Sequence, residues 1–109
     1  MRLKDIEIMD EQAPFTTNAM KKATHQSVEL KDTINGMIST DHKERFKAEY
    51  QQLLIRYNKL NDIMTDNENN KLSFSLQSPI ELLESQRQTM YRYLRLLEMR
   101  AIREGINLD

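Results

Sequence analysis

The chain contains no cysteine among its 109 residues. This excludes a disulfide framework, a zinc–thiolate site and a thiol nucleophile, and it fits a reducing compartment. The uninterrupted apolar runs are only a few residues long, far short of the roughly 20 that a membrane-spanning helix needs. The N-terminus alternates charged and apolar residues where a signal peptide would be apolar. We therefore expect a cytoplasmic protein with no membrane partner.

The chain also has no excess of charge of either sign. Sixteen lysines and arginines face seventeen aspartates and glutamates, so the formal net charge is −1. A protein that binds duplex nucleic acid usually carries a basic excess, so we expect no such partner. Any site for an anion must be built from a local group of cations.

Glycine and proline are scarce, with two of each, and tryptophan is absent. The chain is instead rich in leucine, glutamate, lysine, arginine and glutamine, and it has seven methionines, all residues that lose little side-chain freedom in a helix. The composition predicts an all-α fold. The length allows one domain, covering residues 1–109.

The last of three predicted long helices, over 79–104, has the clearest ends. Ser78 is placed to cap it, with Pro79 at its first position and Glu81 completing a capping box. Gly105 can take the left-handed conformation that ends a helix, and Ile106 follows as its apolar contact. Its apolar face is interrupted at Gln86 and Arg87. The predicted core residues are Ile80, Leu83, Met90, Leu94, Leu97 and Ala101.

The other two helices are predicted over 17–38 and 42–65. Asp41 is a candidate cap for the middle helix, and a tight connection after Gly36 should turn it antiparallel to the first. Apolar residues follow a coiled-coil spacing of four and three along both. In the middle helix they are Phe46, Tyr50, Leu53, Tyr57, Leu60 and Met64.

Two segments lie outside these helices. Residues 66–78 read as a loop in which Leu72, Phe74 and Leu76 tuck under the helices, with a short extended segment as the alternative. Residues 1–15 are predicted to form an arm that docks on a neighbour, or else a disordered tail.

Three helices with apolar seams offer more apolar surface than one hairpin can cover. We therefore expect long antiparallel helices that form a homo-oligomer through helix packing. A monomeric three-helix bundle is the alternative.

No arrangement of residues points to catalysis. His25 and His42 fall on different helices without the spacing of metal ligands, and both glycines stand where helix ends need them, so no phosphate loop is present. We expect a non-catalytic protein with no cofactor and no metal.

The last helix carries one group of candidate binding residues. Arg92, Arg95, Arg100 and Arg103 share an arc of roughly 140° opposite the leucine face, and Tyr91 and Tyr93 flank it. Guanidinium groups beside tyrosines can hold phosphates and stack on bases. Interleaved glutamates offer the simpler alternative of a solvated, charge-paired surface. Arg87, on the core side, must reach outward or meet a partner.

A second polar group precedes the first helix. Phe15, Thr16, Lys21 and Lys22 place an aromatic ring, a hydroxyl and two cations near a helix N-terminus, which attracts anions. A capped helix with a hydrophobic staple explains Phe15 and Thr16 equally well.

Parts of the chain resemble a known family. The proline-containing turn at Phe15, the stretch "KKATHQSVELKDTI" and the stretch "LLESQRQTM" resemble the helical-hairpin sponge proteins that phages use against CBASS and Thoeris defence. The last helix is also similar to small phage proteins with a Leu-Leu-x-x-Gln-x-x-x-Met-x-x-Tyr-Leu pattern. The matching residues are Leu82, Leu83, Gln86, Met90, Tyr93 and Leu94. The chain departs from the sponges in its longer middle helix and in lacking an alanine-rich final turn.

The resemblance implies a homo-oligomer that sequesters a cyclic nucleotide signal between protomers without catalysis. Phe15 would stack on the ligand, and Lys21 or Lys22 would contact phosphate together with arginines of a neighbouring chain's last helix. The alternative function is a helical interaction module that inhibits a host protein or serves in a virion. The candidate ligand-binding residues are Phe15, Thr16, Lys21, Lys22, Arg87, Tyr91, Arg92 and Arg95.

Overall fold

The computed structural model describes residues 28–109, and all regular structure in that range is helical. A turn of 3₁₀ helix over Leu30–Thr33 continues into the short helix α1 (Ile34–Met37). Two long helices follow, α2 (His42–Glu68) and α3 (Ile80–Glu104). The all-α prediction is confirmed.

The structure differs from the first predicted helix, over 17–38, in the described part of that range. Glu29 has extended backbone angles, φ −112° and ψ 167°, so within residues 28–38 the helical structure begins at Leu30. The Glu29 N–H donates to the Asp32 carboxylate at 2.9 Å, which caps this new helix start. Residues 17–27 of the prediction lie outside the described residues.

Helix α1 packs against α2 through a glycine. A Cβ atom added at Gly36 would lie 3.0 Å from the Ala48 Cβ atom and 3.3 Å from the Glu44 carbonyl oxygen. Thr33, one turn before Gly36, accepts a hydrogen bond from Gln52, one turn after Ala48. The chain therefore runs antiparallel in α1 and α2, as predicted. The glycine's role differs from the prediction, because Gly36 permits close helix contact and does not end a helix.

Helix α2 begins where the sequence predicts and ends one turn later. The Asp41 side chain accepts from the Lys43 N–H at 2.9 Å, as expected of an N-cap residue. At the other end, Asn70 takes φ +57° and the Lys71 N–H donates to the Asp66 carbonyl oxygen at 2.8 Å. This is a Schellman motif with asparagine in the left-handed position.

Helix α3 lies within one residue of its predicted bounds. Its N-cap is Pro79, whose carbonyl accepts the first helical hydrogen bond, so the prediction of Ser78 as the cap is wrong by one residue. Gly105 ends the helix at φ +69°, and the Ile106 N–H donates to the Ala101 carbonyl oxygen at 2.9 Å. The predicted glycine cap with its buried apolar neighbour Ile106 is confirmed.

The core lies between α2 and α3, which run antiparallel. Its buried members are Phe46, Tyr50, Leu54, Tyr57, Tyr91, Leu94, Leu97, Ala101 and Ile106. Ile80, predicted to be core, is exposed. In the loop between α2 and α3, Leu72 and Leu76 are half-buried, but Phe74 is 55% exposed, so the predicted burial of Phe74 is wrong. No strand forms over residues 71–76.

Within residues 28–109, two positions have positive φ, and they give a matched test of helix termination. Nothing lies within 4 Å of a Cβ atom added at Gly105, so Gly105→Ala changes only the backbone preference there. We expect it to lower the free energy of unfolding by about 1–2 kcal/mol. Asn70→Gly should instead leave stability unchanged or raise it slightly, because glycine adopts φ +57° more readily. Urea unfolding followed by circular dichroism measures both, and equal losses would contradict the assignment.

Candidate functional site

Five residues form a line along one side of the contact between α2 and α3. Helix α2 contributes Tyr50 and Tyr57, two turns apart, and α3 contributes Arg87, Tyr91 and Arg95, one turn apart. We name this set the arginine–tyrosine row. Its spacings of seven and four keep each helix's members on one face, so the row is a direct result of helix geometry.

The centre of the row is a pair of buried tyrosine rings. Tyr57 and Tyr91 meet edge to face, with ring centroids 5.7 Å apart and an interplanar angle of 68°. Such a pair stabilises helix contact beyond its buried area. The sequence placed Tyr91 beside the outward arginine arc, and that placement is wrong, because Tyr91 is a core residue.

At one end of the row, Arg95 belongs to a three-residue network. Its guanidinium lies 2.8 Å from Glu98 Oε1, and the Tyr50 hydroxyl donates to Glu98 Oε2 at 2.7 Å. The Arg95 side chain is only 15% exposed, so its predicted outward position is also wrong. Burial and the Glu98 charge raise the pKa of Tyr50, which therefore remains a protonated donor at neutral pH.

At the other end, Arg87 is held by a carboxylate one turn earlier. Its guanidinium pairs with Glu84, with the Arg87 Nε atom 3.2 Å from Glu84 Oε2. This hydrogen bond lowers the pKa of Glu84 and raises the pKa of Arg87, and Tyr57 contributes to the latter. Arg87 thus meets a partner, one of the two outcomes that the sequence allowed.

The remaining arginines of α3 have separate surroundings. Arg100 lies over the Phe46 ring, 4.8 Å from its centroid, and pairs with Glu104 at 2.9 Å. Arg103 is exposed in the last turn, where a cation complements the helix dipole. Arg92 is half-buried. The expected pairing of arginines with interleaved glutamates is confirmed for Arg87, Arg95 and Arg100.

The structure brings some predicted site residues together. Arg87, Tyr91 and Arg95 share the row, and Arg92 follows Tyr91 on the same helix. Phe15, Thr16, Lys21 and Lys22 lie outside the described residues. Sequence reasoning missed Tyr50, Tyr57 and Glu98 as members of the site. The seven-residue spacing of the two tyrosines was the available signal, but it was assigned to the apolar seam alone.

The row offers binding chemistry of one kind. Two guanidinium groups, each paired with a carboxylate, lie beside tyrosine hydroxyls, a set of donors suited to phosphate oxygens. Within residues 28–109 no cluster of histidine, aspartate and glutamate could hold a metal ion. In the same range no helix is long and apolar enough to cross a membrane.

In the described residues the fold defines a small, all-helical protein built on an antiparallel hairpin of α2 and α3. Residues 40–103, which include α2, the connecting loop and nearly all of α3, match the Sequestin family. Because this match spans more than half of the chain, the protein belongs to the Sequestin family, a name that fits a sequestering protein. Comparisons with curated proteins and with solved structures gave no match.

The bounds of the family match separate the predicted site into two parts. Arg87, Tyr91, Arg92 and Arg95 lie within the matched range, as does every other member of the row. Residues 15–22, which carry the predicted N-terminal group, lie before it. The candidate site residues that the structure describes therefore all lie within the range that matches the family.

Proposed function

We propose that this protein binds and sequesters a cyclic nucleotide immune signal without converting it, as a phage counter-defence protein in the cytoplasm of the host cell. The observation that carries the proposal is the Sequestin match over nearly the whole α2–α3 hairpin. The arginine–tyrosine row on that hairpin supports the ligand class, because its guanidinium groups and the Tyr50 hydroxyl are donors suited to the phosphates of a cyclic nucleotide.

Arg87 and Arg95 are the proposed phosphate contacts. Each guanidinium is held by a glutamate at a distance of three residues, so a ligand phosphate would take the place of a carboxylate. The exchange keeps the guanidinium satisfied and can be bidentate. Partial burial of the row strengthens the attraction relative to a fully solvated arginine. Arg92, next along α3, is the proposed third contact.

The tyrosines of the row have different proposed roles. The Tyr50 hydroxyl, which donates to Glu98, would donate to a phosphate oxygen when that carboxylate is displaced. Tyr57 and Tyr91 hold the helices together by their ring contact, and this fixes the position of the two arginines of α3 relative to Tyr50 of α2. For stacking on a base we retain Phe15, with Thr16, Lys21 and Lys22 as polar contacts, contributed by a neighbouring protomer.

Thermal-shift and calorimetric titration with a panel of cyclic dinucleotides and cyclic ADP-ribose isomers tests this proposal. A ligand present at 100 times its Kd should stabilise the folded protein by about 2.7 kcal/mol. Arg95→Met should weaken binding by roughly ten- to hundredfold, since a hydrogen bond to a charged group contributes about 1.5–3 kcal/mol. Arg92→Met should weaken it in the same direction.

Arg103→Met is the matched control, because Arg103 is exposed on the same helix and lies outside the row. Its affinity should equal that of the unmodified protein. Absence of heat and of stabilisation across the panel would contradict the proposed ligand class. Equal weakening by Arg95→Met and Arg103→Met would show attraction by overall charge and would remove the row from the site.

A second candidate function rests on an apolar patch on α1. Ile34, Met37 and Ile38 are exposed at spacings of three and four, whereas Gly36 faces α2. Such a patch is typical of a protein-binding surface. Under this alternative the protein inhibits a host protein or serves in a virion. Ile34→Glu with Ile38→Glu should then abolish complex formation with that protein and leave nucleotide titration unchanged.

A further inference from the structure

Helix α3 has a second face that the hairpin does not use. Leu82 is 60% exposed and Leu96 is 45% exposed, although both are large apolar side chains. They are separated by two heptads, and the exposed Thr89 lies midway, seven residues from each. At 100° per residue, these three and Ser85 fall within an arc of about 60°. We name these four residues the outer stripe.

We propose that the outer stripe is a two-fold interface with a second copy of this chain, in which the two α3 helices run antiparallel and cross at Thr89. A two-fold interface must be self-complementary. In an antiparallel pair centred on Thr89, Leu82 packs against the partner's Leu96, and Leu96 packs against the partner's Leu82. Both exposed leucines are then covered by the same contact.

The residues at the proposed centre permit close approach. Ser85 and Thr89 are small, and small side chains allow helix axes to come near one another. The Thr89 hydroxyl donates to the Ser85 carbonyl oxygen at 2.9 Å, within its own helix. The Thr89 hydroxyl therefore already has an acceptor in its own helix. Burying it in an interface costs little free energy, because no donor is left without an acceptor.

Charge along α3 favours the antiparallel orientation over the parallel one. In the first half of the helix, residues 80–91 contain two glutamates and one arginine, which gives a net charge of −1. In the second half, residues 92–104 contain four arginines and two glutamates, which gives +2. An antiparallel pair brings the acidic half of one helix beside the basic half of the other. Opposed helix dipoles add to this preference.

The proposed interface leaves the binding row accessible. Arg87, Tyr91 and Arg95 are centred about 150° round the helix axis from the outer stripe. The two rows of a dimer would therefore face away from this contact, so a protomer that supplies Phe15 to a row would reach it through a different contact. The interface uses different residues from the ligand site, so the failure of one proposal does not entail the failure of the other.

Engineered cysteines can test the orientation, because the chain has none of its own. Thr89→Cys should form a disulfide-linked dimer under mild oxidation, since the two-fold axis brings position 89 against itself within the Cβ–Cβ range of about 3.5–4.5 Å. Leu82→Cys alone should not, because position 82 and its counterpart would be separated by about 21 Å along the helix axis. Leu82→Cys mixed with Leu96→Cys should give the mixed dimer.

Ile102→Cys is the matched control, because Ile102 is 82% exposed on the same helix but lies off the stripe. It should cross-link only at the background rate. Leu82→Glu with Leu96→Glu should give a folded monomer in native mass measurement, with its helical circular dichroism retained. The proposal is overturned if Thr89→Cys cross-links no faster than Ile102→Cys, if Leu82→Cys links to itself, or if the unmodified chain is monomeric at high concentration.

Discussion

Replacing Leu94 by alanine is expected to lower the free energy of unfolding by about 2–5 kcal/mol. Leu94 is fully buried at the centre of the α2–α3 contact, where the core residues of both helices meet. Truncation removes apolar contacts and leaves a cavity that two long helices cannot easily close. A small domain is stable by about 5–15 kcal/mol, so this single change should remove a large part of the total.

Ile102→Ala is the matched control for Leu94→Ala. Ile102 is on the same helix, is similar in size and is exposed to solvent. Alanine is also the better helix former, so stability should be unchanged or slightly higher. Urea unfolding at one fixed protein concentration measures both variants. A comparable loss for both would mean that the α2–α3 contact is not the main source of stability.

Replacing Glu98 by glutamine should move stability and ligand affinity in opposite directions. Glu98 accepts from both Arg95 and Tyr50, and its side chain is largely shielded from solvent. Loss of the charge weakens two charge-assisted hydrogen bonds, so we expect unfolding free energy to fall by about 1–3 kcal/mol. On the proposed function, the same change frees Arg95 from a competing carboxylate, and ligand affinity should rise on the order of tenfold, or ~1.4 kcal/mol.

Glu104→Gln supplies the comparison for Glu98→Gln. Glu104 pairs with Arg100 on the same helix, but this pair is more exposed and stands apart from the row. Exposed helix pairs contribute about 0.3–0.5 kcal/mol, so stability should fall only slightly, and ligand affinity should not change. Calorimetry and urea unfolding on the two variants give all four values. Weaker ligand binding by Glu98→Gln would contradict carboxylate exchange at Arg95.

The ends of the long helices could be predicted from the sequence because they depend on local chemistry. Asp41 caps α2 and Gly105 ends α3 through hydrogen bonds to residues within one turn. The end of α2 was predicted one turn early, because Asn70 supplies the left-handed residue that glycine more often provides. The predicted end at residue 65 rests on the asparagine-, aspartate- and serine-rich composition of the segment that follows, which is a weaker signal than a cap.

The positions of Tyr91 and Arg95 could not be predicted from the apolar pattern of α3. A helical wheel centred on the leucines places both away from the core. The buried face is wider in the structure, because Tyr50 and Tyr57 of α2 reach across to Glu98 and Tyr91. Polar contacts between helices extend a buried face beyond its apolar residues, and one sequence does not indicate which tyrosine meets which partner.

The second buried face of α2 was also missed. Ala48, Ile55 and Asn58 are buried on a side that does not face α3. The Gly36–Ala48 contact shows how α1 approaches this side. A glycine opposite an alanine is a signal for close helix packing, but it becomes visible only when the pairing of the two helices is known.

Recovery of the ligand after binding tests the central claim, sequestration without conversion, most directly. The folded protein is incubated with a cyclic nucleotide that saturates it in calorimetry, the unbound ligand is removed, and the complex is heat-denatured. We predict that mass spectrometry of the released fraction shows the intact cyclic nucleotide in a fixed ratio to the protein. A linear or cleaved product, or no retained ligand, would contradict sequestration by this member of the Sequestin family.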